Sequence, residues 1–108
     1  GDPVADERVD NMIQAMRIKL RLLPVGHEDI APLRLRLADS LLSQRYCKLA
    51  LEECRYLLQP PVAWFSPVRA LLQKHLSEYG NQNDTESALR LRSMVCSEMP
   101  DMLVECCC

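Results

Sequence analysis

The chain has 108 residues and a net charge of −2 from 13 basic and 15 acidic side chains, a size that fits one domain or a fragment of one. Apolar residues make up 48% and charged residues 26%, enough to bury a core, so composition excludes a disordered chain. The charge balance argues against a strongly basic nucleic-acid arm and an acidic tail, and no uncharged apolar run approaches the ~20 residues of a bilayer span or forms a secretory h-region near the start.

Proline and glycine divide the chain into helical stretches. The first predicted helix runs over 6–23, where Val9, Met12, Ile13, Met16, Leu20 and Leu23 recur mostly at spacings of three and four. Pro24, Val25 and Gly26 end it, and His27, Glu28 and Asp29 form a solvated turn. A second helix starts near Pro32, a residue tolerated in a first turn, and runs to Gln44 with Leu33, Leu37, Ala38 and Leu41 inward. A third spans Tyr46 to Gln59, with Leu49, Ala50, Cys54, Leu57 and Leu58 inward. Pro60 and Pro61 stop it, because proline disfavours helical geometry in the residue before it.

The fourth helix is predicted from Ser66 as N-cap and Pro67 as first helical residue. Val68, Leu71, Leu72, His75, Leu76 and Tyr79 form its stripe, and Gly80 and Asn81 its stop. The fifth starts near Asp84 or Thr85, with Ala88, Leu91, Val95 and Met99 inward and Arg92 on the border. A sixth begins at Asp101. Two runs, Arg17 to Leu22 and Leu33 to Leu37, alternate with the period of a strand and offer a competing hairpin. Both lie inside longer helical stripes and are poor in β-branched residues, which favours helix.

The ends and the cysteines bear on compartment. The chain opens on Gly1 rather than Met and closes on Cys106, Cys107 and Cys108, which reads as a boundary falling within a helix of a longer protein. Lipid attachment is the alternative if Cys108 is a natural terminus, although the C-a-a-X pattern is absent. Cys47, Cys54 and Cys96 sit in helical apolar patterns rather than in a disulfide framework, so the expected setting is reducing, cytoplasmic or nuclear. No paired C-x-x-C spacing points to zinc, and neither metal nor cofactor is expected.

Helices two and three form one pair and helices four and five another. In the first pair Leu37, Ala38 and Leu41 precede Ala50, Cys54 and Pro61. In the second, Leu72, His75, Leu76 and Tyr79 precede Ala88, Arg92 and Pro100. These positions resemble two degenerate tetratricopeptide repeats over Ala31 to Pro100, whose signature is a large residue, Leu-Gly, Tyr, then Ala, an aromatic and a closing Pro. Ala50 and Ala88 stand 38 residues apart rather than ~34, and the glycine is missing from both units.

The expected architecture is therefore all-α: five to six helices stacked as antiparallel hairpins, a fragment of a right-handed superhelix. Segment 6–23 caps hairpins 31–61 and 66–100, and 101–108 is a truncated helix. The resemblance implies an inner groove exposing Leu35, Asp39, Leu42 and Ser43, then Gln73, Ser77 and Asn81. Leu35, Asp39, Gln73 and Ser77 do not fit the role of the Lys and Asn with which family members clamp a chaperone's C-terminal carboxylate, so a partner helix or extended peptide is expected. Trp64 and Phe65 either cover the junction of the two hairpins or anchor a partner.

Catalysis is not expected. His75 lies on an apolar stripe and reads as a core histidine, adjacent Glu52 and Glu53 diverge on a helix and read as a solvated face, and three glycines build no phosphate loop. Arg17, Lys19, Arg21, Arg34 and Arg36 cluster early, with Arg45 just after. They read as solvated helix faces, or alternatively as a patch for nucleic acid or an acidic peptide. The reading is a protein-interaction scaffold, with self-association through 102–108 a further expectation; the alternative is a nucleic-acid-binding helical module.

Overall fold

The computed structural model describes residues 7–102. Among them there is no strand, and five helices follow in order: α1 (Glu7–Leu22), α2 (Ile30–Ser43), α3 (Cys47–Leu58), α4 (Phe65–Asn81) and α5 (Thr85–Glu98), then a short 3₁₀ turn at Pro100–Met102. The alternating runs around Arg17 and Leu33 are helical, as their longer apolar stripes require. Only the start of the predicted sixth helix is described, and it is that 3₁₀ turn; 103–108 lie outside the described residues. No helix among these is long and apolar enough to cross a membrane.

Helices α2 and α3 pack as one antiparallel hairpin and α4 and α5 as a second, with α2 against α4 and α3 against both helices of the second hairpin. Helix α1 lies antiparallel on α2: Tyr46, just past the end of α2, reaches Asp10 near the start of α1, its hydroxyl 3.5 Å from Asp10 Oδ1. Ala38 and Ala50 are fully buried, where a small side chain lets two helix backbones approach closely. Leu37, Leu41, Leu51, Leu57, Leu72, Leu91 and Val95 complete one continuous core.

The two hairpin turns are built alike. In the first, the Tyr46 N–H bonds to the Leu41 carbonyl at 2.9 Å and the Arg45 N–H to Leu42 at 3.0 Å. In the second, the Asp84 N–H bonds to Tyr79 at 2.8 Å and the Asn83 N–H to Gly80 at 3.0 Å. Both are Schellman closures, with the residue after the C-cap in the left-handed region: Arg45 at φ 67° and Asn83 at φ 59°. The closing bonds recur at the 38-residue spacing of Ala50 and Ala88. Asparagine tolerates this conformation; arginine does so at a cost of about 1–2 kcal/mol, met by the contacts of its side chain described below. Gly26, at φ 83° after α1, is the turn residue for which the absence of Cβ matters.

Three expectations are corrected. Met12 is 46% exposed rather than core, because the buried side of α1 is narrow and centres on Ile13 and Met16. Helix α4 starts at Phe65, with Trp64 rather than Ser66 at the cap and no side-chain cap bond. The Trp64 N–H instead bonds to the Leu57 carbonyl at 2.9 Å, joining the end of α3 to the start of α4. Pro67 is thus the third helical residue, still within the turn whose N–H groups have no intrahelical partner. Leu42, expected in the groove, is fully buried.

Leu41 is 2% exposed and Leu22 78%. Urea denaturation should show Leu41→Ala losing about 2–5 kcal/mol and Leu22→Ala changing by less than about 0.5 kcal/mol. Equal effects would mean that α2 does not pack as described.

Candidate functional site

Two places gather polar side chains from different helices. The first is the seam between α2 and α4. His75 is buried at 1% exposure on α4, and its Nε2 lies 2.6 Å from Asp39 Oδ1 on α2. Lys74 Nζ reaches the same oxygen at 3.3 Å. Glu78 Oε2 stands 3.6 Å from His75 Nδ1, too far for a hydrogen bond, and that nitrogen is buried without a partner. Burial opposes ionisation of Asp39, but the hydrogen bonds from His75 and Lys74 outweigh it and hold its pKa below the ordinary value. The histidine is thus a core residue with one satisfied nitrogen, tying α4 to α2.

One turn further along, Tyr79 is fully buried and its hydroxyl donates to the Leu42 carbonyl. The Arg45 guanidinium sits 4.4 Å from the centre of the Tyr79 ring. The same guanidinium donates to Asp84 at 3.0 Å, to the Ser43 carbonyl at 2.8 Å and to Gln82. Asp84 caps α5 by accepting the Ser87 N–H at 3.1 Å. The bonds from Ser87 and Arg45 lower the Asp84 pKa to about 2. Beneath this cluster, burial raises the pKa values of the Cys47 thiol and the Tyr79 hydroxyl.

The second place is an open cleft of about 460 Å³ between α1, α2 and α3, with Gln14, Arg17, Leu20, Arg21, Arg34 and Glu53 on its walls and Leu37 at its base. Arg34 is fixed there. Its Nη1 lies 2.6 Å from Glu53 Oε1, its guanidinium carbon 3.9 Å from the centre of the Tyr56 ring, and its Nε is buried without a hydrogen-bond partner. Glu53 is therefore not the solvated residue expected beside Glu52; it is mostly buried against Arg34.

The structure redistributes the expected site residues. Of the early basic cluster, Arg17, Arg21 and Arg34 share the cleft, whereas Lys19 and Arg36 do not line it. Of the expected groove residues, Leu35 and Asp39 are half-buried on α2 and Ser43 is exposed at its end. Gln73, Ser77 and Asn81 are exposed on α4. At 100° per residue, Gln73 and Ser77 lie opposite the buried stripe; the α4 residues that meet Asp39 are Lys74 and His75. Trp64 packs half-buried against the core, and Phe65 is 47% exposed in the first turn of α4. Sequence reading missed Glu53 and Lys74 because nothing local shows which helix face a neighbour covers; the i, i+4 pairing of Arg17 with Arg21 was the available signal. Among the described residues no group of three or more His, Cys, Asp or Glu is arranged to hold a metal ion.

Comparison of the chain with models of known protein families, with characterised proteins and with solved structures finds no match.

Two measurements test the α2–α4 junction. The folded Asp84 pKa of about 2 is below its ordinary 3.8, so between those values the unfolded chain binds more protons. Its stabilisation is present above the ordinary value and lost as pH falls through about 2. Asp84→Asn, which retains a good cap, should flatten that acid limb of stability; an unchanged limb would refute the assignment. Tyr79→Phe should cost only about 0.5–1.5 kcal/mol by thermal melting, because the Leu42 carbonyl keeps the Arg45 N–H.

Proposed function

We propose that the chain is a non-catalytic protein-interaction scaffold of stacked hairpins, of the tetratricopeptide kind, in which the α2–α4 seam receives a helix or extended peptide of a partner within a larger assembly. The observation that carries the reading is the Asp39–Lys74–His75 cluster: a strip with polar groups at its surface, from Leu35 through Asp39 to Ser43 on one side and Lys74 to Glu78 on the other, backed by the part-buried His75–Asp39 bond and the buried Tyr79–Leu42 bond. Such backing holds the two helices at a set separation, which lowers the ordering cost of docking. The recurrence of the Schellman turn and of Ala50 and Ala88 at one spacing favours a repeated hairpin unit. The buried thiols Cys47 and Cys54 suit a reducing compartment, cytosol or nucleus.

A photo-crosslinking residue at Ser43 or Lys74, both exposed, should capture the same protein partner from cell extract under reducing conditions, with or without nuclease. The same probe at Glu52 or Thr85 should not. Lys74→Glu should lower capture from Ser43 at least tenfold. Adducts that vanish with nuclease, or form equally from all four positions, would refute the seam.

A further inference from the structure

The cleft between α1, α2 and α3 is distinct from that seam, and its charges do not balance. Arg17, Arg21 and Arg34 face one carboxylate, Glu53. Glu53 is engaged by Arg34 at 2.6 Å, and Arg17 and Arg21 make no ion pair among the described residues. We propose that this cleft binds a phosphate monoester carried on a peptide side chain of a partner: a phosphorylated Ser, Thr or Tyr.

Charge selects the ligand class. Two unmatched guanidiniums call for a dianion. A phosphate monoester carries about −1.5 to −2 at neutral pH, whereas a carboxylate carries one charge and a nucleic-acid phosphodiester one per phosphate. Geometry agrees with charge. Arg17 and Arg21 are one helical turn apart, so they project side by side from α1. Arg34 faces them from α2, held in plane by Glu53 and stacked on Tyr56. A guanidinium held in that way meets phosphate oxygens with little further loss of side-chain freedom. Leu20 and Leu37 supply apolar wall.

Extent selects the carrier. About 460 Å³ lies within the range of a small-ligand cleft and admits one side chain with its phosphate. A bound nucleic-acid strand needs a run of cations, yet Lys19 and Arg36 lie outside the cleft. The half-exposed Tyr56 ring beside Arg34 offers a surface for residues flanking a phosphorylated side chain, which a free phosphate cannot use.

The test is an NMR titration of the full chain, isotopically labelled, following the arginine Nε–Hε signals. Four probes are compared: a degenerate peptide pool centred on phosphoserine, its unphosphorylated twin, inorganic phosphate and an oligouridylate. The phosphorylated pool should shift the signals of Arg17, Arg21 and Arg34 at least tenfold more tightly than the twin or inorganic phosphate. Arg21→Glu, at an exposed position that leaves the helical dichroism unchanged, should weaken it at least tenfold; Arg21→Lys, which keeps the charge but loses the fork, should fall between. Three outcomes overturn the proposal: no shift of these arginines, equal binding of inorganic phosphate, or tighter binding of the oligouridylate with a shift at Arg36.

Discussion

The Tyr79 side chain is the constraint on which the arrangement of the two hairpins depends. Its ring is fully buried, its hydroxyl bonds to the Leu42 carbonyl of the neighbouring hairpin, and Arg45 covers its face. Leu42 is itself a carbonyl of the Schellman turn that ends α2. One side chain of α4 thus engages the turn of the first hairpin, and through Arg45 and Asp84 that turn engages the start of α5. The cost of a left-handed arginine is offset because the conformation delivers the guanidinium to four partners at once.

The seam and the cleft differ in how their charges are met. At the seam Lys74 pairs with Asp39, which also bonds to His75, and Arg45 pairs with Asp84. These pairs join elements far apart in sequence, so their first consequence is register between helices. In the cleft one pair is complete and two arginines are left over. The net charge of −2 hides this, since a whole-chain sum says nothing of where unlike charges meet.

Helix positions and most inward faces were legible because helical periodicity and proline punctuation are local. The stripe Val68, Leu71, Leu72, His75 and Tyr79 is buried as read, and so are Leu33, Leu37, Ala38 and Leu41. The failures occur where a neighbour decides. Met12 has the spacing of a core residue but no helix over it. Leu42 sits at a groove position by resemblance, yet α4 covers it. Glu53 looks like half of a solvated pair until Arg34, 19 positions away, arrives against it. The start of α4 was misplaced because a bond from Trp64 to Leu57 outweighs the Ser66-Pro67 cap signal.

By itself the sequence determined the all-helical class, five helices near their observed limits and a core rich in leucine, while the turn residues Arg45 and Asn83 went unread and the expected stop at Gly80 and Asn81 lies inside α4. The class, the helices and the core follow from interactions between residues a few positions apart. Only the tertiary structure decided that α2 meets α4 through Asp39 and His75, that Glu53 is paired and that three of the early basic residues share one cleft. Those outcomes depend on which helix faces are brought together. That is set by packing summed over the whole core, and no single spacing encodes it.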